Sequence, residues 1–176
     1  MRTLLALLVL SPLAFADDAK PDAGFELLFN GKDLTGWKPL GKKDSLDGKA
    51  EAFKGRFKVK DGELVIDPAV KGDVRIETVR EFSKDVVIKF EFCPDEKCNN
   101  DLFFRGQKFD LSKANVKNIK AGEWNPIEIA VKDGKVSFTV NGTVVRSAAV
   151  KGEKSTFGIR AEFGSMRIRE LQAKEG

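Results

Sequence analysis

The 176-residue sequence contains no histidine and no tyrosine. The lack of histidine excludes Ser-His and Cys-His nucleophilic mechanisms and histidine-ligated metal centres, because each of them needs an imidazole as base or ligand. The lack of tyrosine excludes catalysis by a phenol. Acid–base chemistry in this chain is therefore left to carboxylates, lysines and bound water.

A strong excess of charge of either sign is also lacking. The chain has 31 lysines and arginines against 27 aspartates and glutamates, which gives a net charge of +4. The basic residues are scattered among acids, whereas a nucleic-acid-binding protein gathers them on one face with aromatic residues between them. We therefore expect no nucleic-acid partner.

Cysteine is scarce, because Cys93 and Cys98 are the only two, and they flank the short loop 94–97. In an oxidising compartment, a close pair across a short loop favours a disulfide. A zinc site is the alternative, but zinc needs further soft ligands and the chain has no other cysteine and no histidine. We predict a disulfide between Cys93 and Cys98.

The longest apolar run, residues 4–13, follows a single arginine near the start of the chain. It is too short to span a bilayer, and it ends in AFA at residues 14–16, the small-x-small pattern of a signal peptidase site. We predict a signal peptide over 1–16, a flexible leader over 17–23 and a single domain over 24–176. A retained membrane anchor is the alternative. The mature protein is expected to be exported, to the periplasm or the extracellular medium, without a membrane partner.

Apolar residues recur at every second position in most of the chain after residue 24, which is the period of a strand with one face in a core. This alternation is clearest in segments 86–92, 127–132, 136–140 and 166–171. Asp-Gly and Asn-Gly pairs at 61–62, 133–134 and 141–142 fit tight type I′ hairpin turns. About ten or eleven short strands without crossover helices predict an all-β fold, an antiparallel two-sheet jelly-roll sandwich with a concave face.

Several segments resemble, in sequence and in order, the 3-keto-disaccharide hydrolase domain family. The opening GFELLFNGKDLTGW at 24–37 is similar to the start of that domain, and FKVKDGEL at 57–64 is similar to its second block. NNDLFFRG at 99–106 resembles its middle strand, and GEWN at 122–125 and MRIREL at 166–171 follow in the family's order. The resemblance implies a concanavalin A-like jelly roll of the lectin and glucanase type.

The resemblance also implies an activity, which is cleavage of the glycosidic bond of a 3-keto-glycoside. A ketone at C3 acidifies the proton on C2, so a base removes that proton, the group on C1 departs by elimination, and water adds back. This route needs a base, a stabiliser of the enolate oxygen, and an acid or metal for the leaving group. It demands no particular cofactor, and a divalent metal is left open. The expected partner is an oxidised disaccharide or glycoside.

Candidate site residues lie in and after the middle block. If Leu102 and Phe104 face the core, Arg105 projects from the concave face, where its guanidinium can hold an enolate or hydroxyl oxygen. We predict catalytic roles for Arg105, Asp110 and Glu162, the last two as bases or metal ligands. Substrate-binding roles are predicted for Asn99, Asn100, Asp101 and Lys108. The alternative for Arg105 is a surface ion pair with a neighbouring acid, and for Asp110 and Glu162 it is a solvated carboxylate without a function.

Two segments depart from the family pattern. QKFDL at 107–111 lacks the glutamate that usually follows the middle block, and GIRAEFG at 158–164 lacks the histidine that many members carry there. These departures favour a second hypothesis, a non-catalytic carbohydrate- or protein-binding module of the same fold. Trp37 and Trp124 lie in framework blocks, so we predict that they anchor the core and do not stack on sugar.

Overall fold

A computed structural model describes residues 20–83 and 85–176, so the predicted signal peptide lies outside the described residues. In chain order the strands are β1 (Glu26–Leu27), β2 (Trp37–Pro39), β3 (Glu51–Ala52), β4 (Phe57–Lys60), β5 (Glu63–Ile66), β6 (Val74–Thr78), β7 (Val86–Pro94), β8 (Asn99–Phe104), β9 (Gln107–Asp110), β10 (Asn125–Lys132), β11 (Lys135–Val140), β12 (Thr143–Ala149), β13 (Gly158–Phe163) and β14 (Met166–Glu175). Within these ranges there is no helix that is long and apolar enough to cross a membrane.

The strands form two antiparallel sheets. The larger sheet has nine strands in the order β12-β11-β10-β7-β14-β5-β4-β3, with β1 paired to β14. The smaller sheet has five strands in the order β2-β6-β13-β8-β9. The predicted all-β fold of two antiparallel sheets is confirmed. There are more strands than the alternation indicated, because two-residue strands such as β1 and β3 are too short to show a period.

The core between the sheets is built from the alternating side chains. In β7, Val86, Ile88, Phe90 and Phe92 are all at most 3% exposed. Phe157, just before β13, joins the two sheets, because its ring centroid lies 6.2 Å from that of Phe90 in the larger sheet and 6.1 Å from that of Phe104 in the smaller one. Large buried aromatic side chains of this kind contribute most of the apolar area that stabilises such a sandwich.

Tight turns connect neighbouring strands where they were predicted. Asp61-Gly62, Asp133-Gly134 and Asn141-Gly142 all have positive φ at both residues, as a type I′ turn requires. A fourth pair, Arg105-Gly106, joins β8 to β9 with φ values of 51° and 72°. The sequence pattern did not indicate this turn, because arginine is not a residue that favours positive φ.

The two tryptophans differ in their surroundings. Trp37 is fully buried, and its indole Nε1 donates a hydrogen bond to the Leu28 carbonyl oxygen at 2.7 Å, which confirms its predicted place in the core. Trp124 is only half-buried and lies against the guanidinium groups of Arg167 and Arg169, at 4.9 and 4.1 Å. Its prediction as a core residue is wrong. The next residue, Asn125, is fully buried, so strand alternation turns Trp124 outward.

The predicted disulfide is absent, because Cys93 and Cys98 are both buried free thiols. Cys93 follows the core residue Phe92 in β7, so its side chain points away from the core, and its Sγ accepts a hydrogen bond from Arg167 at 3.3 Å. Cys98 belongs to the core, and its Sγ accepts from Asn100 Nδ2 at 3.3 Å. Closeness along the chain therefore does not bring the two sulfurs to the same side of the sheet.

Replacing Trp37 with alanine tests its role in the core. We expect Trp37→Ala to lower the free energy of unfolding by about 3–5 kcal/mol, because it leaves a large cavity. Trp124→Ala is the matched control and is expected to cost much less, since that ring is half-exposed. Denaturant titration of both variants measures the difference. Similar small losses in the two variants would contradict the assignment of Trp37.

The buried thiol of Cys98 gives a second prediction. Burial raises its pKa from the usual 9.0 to about 11, so little reactive thiolate exists near pH 8. In a Cys93→Ser variant we expect slow alkylation of Cys98 in the native state and fast alkylation in denaturant. The unfolded thiol ionises first, so its contribution to stability is present below about pH 9 and is lost as the pH rises toward 11. The unfolded wild-type protein should show two free thiols without reductant, and none would contradict this structure.

Candidate functional site

The solvent-facing side of the five-stranded sheet, called the outer face below, carries a dense set of charged side chains. Alternation places them there, because Leu102, Phe104, Phe109, Ile159 and Ala161 face the core. Their neighbours in β6, β8, β9 and β13 point the other way. The outer face is formed by Arg75, Glu77, Asn99, Asp101, Phe103, Lys108, Asp110, Gly158, Arg160 and Glu162.

Arg160 lies at the centre of this face and contacts three carboxylates. Its Nε and Nη2 donate to the two oxygens of Asp73 at 2.7 and 2.5 Å. Its Nη1 donates to Asp101 Oδ2 at 2.8 Å and lies 2.9 Å from Glu162 Oε2. The hydrogen bonds that Arg160 donates, first to Asp73 and then to Asp101, raise the pKa of Arg160, and the same bonds to Asp73 lower the pKa of that carboxyl group. Arg160 therefore stays charged and fixes all three acids.

Asp101 is the most deeply buried acid of the outer face, with no exposed surface. A buried carboxylate is costly unless cations and hydrogen bonds compensate it. Arg160 supplies one cation, and Lys108 supplies a second, with its Nζ 3.1 Å from Asp101 Oδ2. The other oxygen, Oδ1, is buried without a hydrogen-bond partner. Lys108 itself keeps 49% of its side chain exposed, so its ammonium group is accessible to a ligand.

Asp110 lies opposite Asp101 in the pairing of β8 with β9. Its Oδ1 accepts a hydrogen bond from the Ser112 backbone N–H at 2.8 Å. With the Asn99 amide oriented to satisfy its hydrogen bonds, the Asn99 nitrogen also lies 3.0 and 3.1 Å from the two oxygens of Asp110. Asp110 and Asn99 are thus hydrogen-bonded to each other at the edge of the outer face.

Glu162 is held in place by its backbone. The register between β13 and β8 shifts between Arg160 and Phe163. At this irregularity the Glu162 N–H donates to the side chain of Asn100, at 2.8 Å from its Oδ1. The Glu162 carbonyl oxygen accepts from Arg56 Nη2 at 3.0 Å. The partly exposed carboxylate contacts Arg160 and lines a cavity of about 410 Å³ between residues 68–73 and 162–164.

A second charged cluster lies next to this one. Arg75 is 3.9 Å above the ring of Phe103, and Glu77 accepts a hydrogen bond from Thr156 Oγ1 at 3.0 Å. Gly158 lies directly beneath Arg75, since a Cβ atom at this position would be 2.5 Å from Arg75 Nε. The missing side chain of Gly158 therefore allows Arg75 to lie flat across the sheet.

The prediction that Arg105 projects from the sheet face is wrong. Arg105 is 6% exposed and lies in the β8–β9 turn, at the opposite end of β9 from Asp110. Its Nη1 donates to the carbonyl oxygens of Phe82, at 2.9 Å, and Glu153, and its backbone N–H donates to Ser155 Oγ. The left-handed backbone at this residue ends the alternation that the prediction extended, so Arg105 fastens loops and does not face the site.

Asn100 is also placed differently from its prediction as a substrate-binding residue. It is fully buried on the core side, and its amide group is bonded to Cys98 and Glu162. The structure brings together the other predicted residues, which are Asn99, Asp101, Lys108, Asp110 and Glu162. Sequence analysis missed Arg160 and Asp73. Alternation with the apolar Ile159 and Ala161 could have placed Arg160 beside Glu162, whereas Asp73 lies before β6 and gave no signal.

Three carboxylates of this site surround the guanidinium group of Arg160, which already pairs with all of them. Within residues 20–83 and 85–176, there is no group of three or more histidine, cysteine, aspartate or glutamate residues placed to hold a metal ion. The chemistry that these side chains offer is proton transfer by a carboxylate, charge stabilisation by an ammonium group, and hydrogen bonding to hydroxyl groups.

Comparison with known proteins identifies the family to which this chain belongs. The sequence model of the 3-keto-alpha-glucoside-1,2-lyase-like domain, the 3-keto-disaccharide hydrolase family, matches residues 24–118. The chain belongs to this family, as its sequence blocks indicated. No curated protein matches the chain in sequence.

Solved structures confirm the jelly-roll fold. A Parabacteroides distasonis protein, provisionally assigned as a glycosyl hydrolase, matches with a TM-score of 0.70 at 18% identity, over 91% of this chain and 100% of that one. A Bacillus licheniformis β-glucanase matches with a TM-score of 0.54 at 8% identity, over 81% of this chain and 94% of that one. Carbohydrate-binding module CBM66 of Bacillus subtilis matches with a TM-score of 0.53 at 11% identity, over 81% of this chain and 97% of that one. Family and fold are thus those of carbohydrate-active, glycosyl-hydrolase-like proteins.

Proposed function

We propose that the protein cleaves the glycosidic bond of a 3-keto-glycoside on the outer face of the five-stranded sheet. The observation that carries this proposal is the chain of contacts from Lys108 through Asp101 and Arg160 to Glu162, at 3.1, 2.8 and 2.9 Å. It links a cation on a half-exposed side chain to a carboxylate that lines a cavity. Membership of the lyase-like family supports the same chemistry.

Glu162 is the base in this mechanism. Both oxygens of Asp110 are close to hydrogen-bond donors, whereas the carboxylate of Glu162 contacts Arg160 and lines the cavity. Glu162 takes the proton from C2, and the electrons of that C–H bond form the enolate with the C3 ketone. The enolate then reforms the ketone, a double bond forms between C1 and C2, and the bond from C1 to the leaving oxygen breaks. The leaving oxygen takes a proton from solvent, and water adds to C1.

Lys108 stabilises the enolate oxygen. Its side chain is half-exposed and its ammonium group is paired with Asp101, so it can approach an oxygen that becomes negative in the transition state. Arg160 is a positioning residue, because its hydrogen bonds already go to Asp73, Asp101 and Glu162. Its role is to hold Glu162 and Asp101 at a fixed separation.

A non-catalytic carbohydrate-binding module is the second candidate. The observation that favours it is the placement of Arg105, which was the predicted holder of the enolate and is instead bonded to the backbone of Phe82 and Glu153. The similarity in fold to module CBM66 is compatible with this role. In a binding module, Lys108, Asp73 and Glu162 would accept and donate hydrogen bonds to hydroxyl groups without a proton transfer to carbon.

We also propose that the protein is exported and that its signal peptide is cleaved after residue 16. The apolar run and small-residue pattern at residues 4–16 support this proposal. N-terminal sequencing of the exported protein should begin at Asp17. An intact N-terminus on a membrane-associated protein would show that the segment is retained as an anchor.

The substitution Glu162→Gln tests the base. We expect it to lower kcat/KM for a 3-keto-glycoside about 10²-fold or more, because the amide is nearly isosteric but cannot take the C2 proton. Glu128→Gln, an exposed position on β10 of the other sheet, is the matched control and should change the rate less than twofold, roughly the scatter of such assays. Product formation and exchange of the C2 hydrogen with deuterium from solvent are measured together.

The same assay separates the two candidate functions. The wild-type protein should cleave the 3-keto-glycoside and leave the unoxidised parent glycoside intact, since only the ketone acidifies C2. Equal rates for wild type and Glu162→Gln would rule out Glu162 as the base. No turnover of the keto sugar, together with saturable binding of sugar by calorimetry, would establish the binding module instead.

A further inference from the structure

Phe163 presents an exposed aromatic ring next to the proposed base. It is the last residue of β13, and 60% of its surface is exposed. The other large apolar residues of the described chain with comparable exposure are aliphatic, namely Leu40, Val79 and Val144. An exposed phenylalanine ring beside a cavity gains free energy when a ligand covers it. Its position therefore favours a ligand that packs on the ring.

The backbone around Phe163 is fixed on both sides, so the exposure of the ring is built into the fold. On one side, the Glu162 N–H and carbonyl are bonded to Asn100 and Arg56. On the other side, Gly164 has a φ of 70°, and a Cβ atom there would lie 2.5 Å from Asp95 Oδ1. The Ser165 N–H donates to Asp95 Oδ2 at 2.9 Å. The backbone that carries the ring is therefore already ordered before a ligand binds.

The cavity beside Phe163 has the size and chemistry of a small-molecule site. Its volume is about 410 Å³, and Pro68 and Val70 contribute apolar surface to its wall. Charges of both signs line it, since Arg56 and Lys71 are cations and Asp73 and Glu162 are anions. Arg56 is 2% exposed, and its buried Nε has no hydrogen-bond partner. A cavity with no excess charge, several hydrogen-bonding groups and one aromatic wall fits a neutral ring that carries hydroxyl groups.

We infer that Phe163 is the stacking platform for the second sugar ring of the substrate, the one attached through the oxygen on C1. The inference rests on the proposed function, which places the oxidised ring over Glu162 and Lys108. Glu162 and Phe163 are adjacent in sequence and line the same cavity, so a ring one glycosidic bond away from the reacting C2 reaches the aromatic side chain. The apolar face of a pyranose packs on the phenyl ring, while its hydroxyl groups bond to Asp73 and Lys71. Phe163 is therefore the residue that distinguishes a second sugar ring from a small aglycone in the leaving group.

Phe163→Ala tests the platform with two substrates that differ only in the leaving group, 3-keto-maltose oxidised in its non-reducing ring and methyl 3-keto-α-glucoside. We expect KM for the 3-keto-disaccharide to rise about tenfold or more, which is the size of effect that loss of one aromatic contact produces. KM for the methyl glycoside should stay within about twofold, since it carries no second ring. Phe163→Trp should restore the preference for the disaccharide. Unchanged melting temperatures check that the folds are intact. An equal change in KM for both substrates, or no change, would overturn the inference.

A binding measurement makes the inference independent of turnover. Maltose and methyl α-glucoside, both unoxidised, are titrated into ¹⁵N-labelled protein while the amide signals of residues 162–165 are followed. Saturable shifts with maltose that weaken about tenfold in Phe163→Ala support the platform. If neither keto substrate is turned over but maltose still binds in this way, the proposed lyase activity fails and the platform stands. Absence of maltose binding to the wild-type protein, or equal binding to both proteins, would overturn it.

Discussion

Phe157 holds the two sheets together, and the candidate site depends on this contact. Its ring contacts Trp37 and Phe104, in two strands of the smaller sheet, and Phe90 in the larger sheet. Its backbone is equally fixed, because its N–H donates to Thr78 Oγ1 and its carbonyl oxygen accepts from the Thr78 N–H, at 3.0 and 2.8 Å. β13 begins at the next residue, so the same anchor sets the height and direction of the strand that carries Arg160, Glu162 and Phe163.

The outer face combines stability and function in one network. Asp101 is buried with two cations, and removing one partner of a buried ion pair typically costs about 3–5 kcal/mol. The contacts of Arg160 with the carboxylates of this network therefore stabilise the fold itself. Residues at the edge of the network, such as Lys108 and Glu162, keep part of their surface exposed. This division leaves the chemistry to side chains whose replacement keeps the pair between Asp101 and Arg160.

Much of the fold could be predicted from the sequence, because an amphipathic strand records which face is buried. Alternation correctly placed Leu102 and Phe104 in the core and Asp101 on the opposite face. It failed where the backbone departs from an extended strand. Arg105 takes positive φ in a turn, and Cys93 and Cys98 lie on different sides because a loop and a change of strand separate them. The cluster around Arg160 joins residues from β8, β9 and β13 with Asp73, and such long-range contacts leave no local pattern.

Gly158 limits how this surface can change over evolution or in the laboratory. It pairs with Phe103 across two strands, and Arg75 lies over both positions. Any larger residue at 158 would push the guanidinium group off the aromatic ring and into the space above the sheet. A substitution at 158 therefore changes the position of Arg75 and its contact with Phe103 together, whereas Phe163 at the margin can be varied alone. A library intended to alter sugar preference gains most by leaving the centre untouched and sampling the margins.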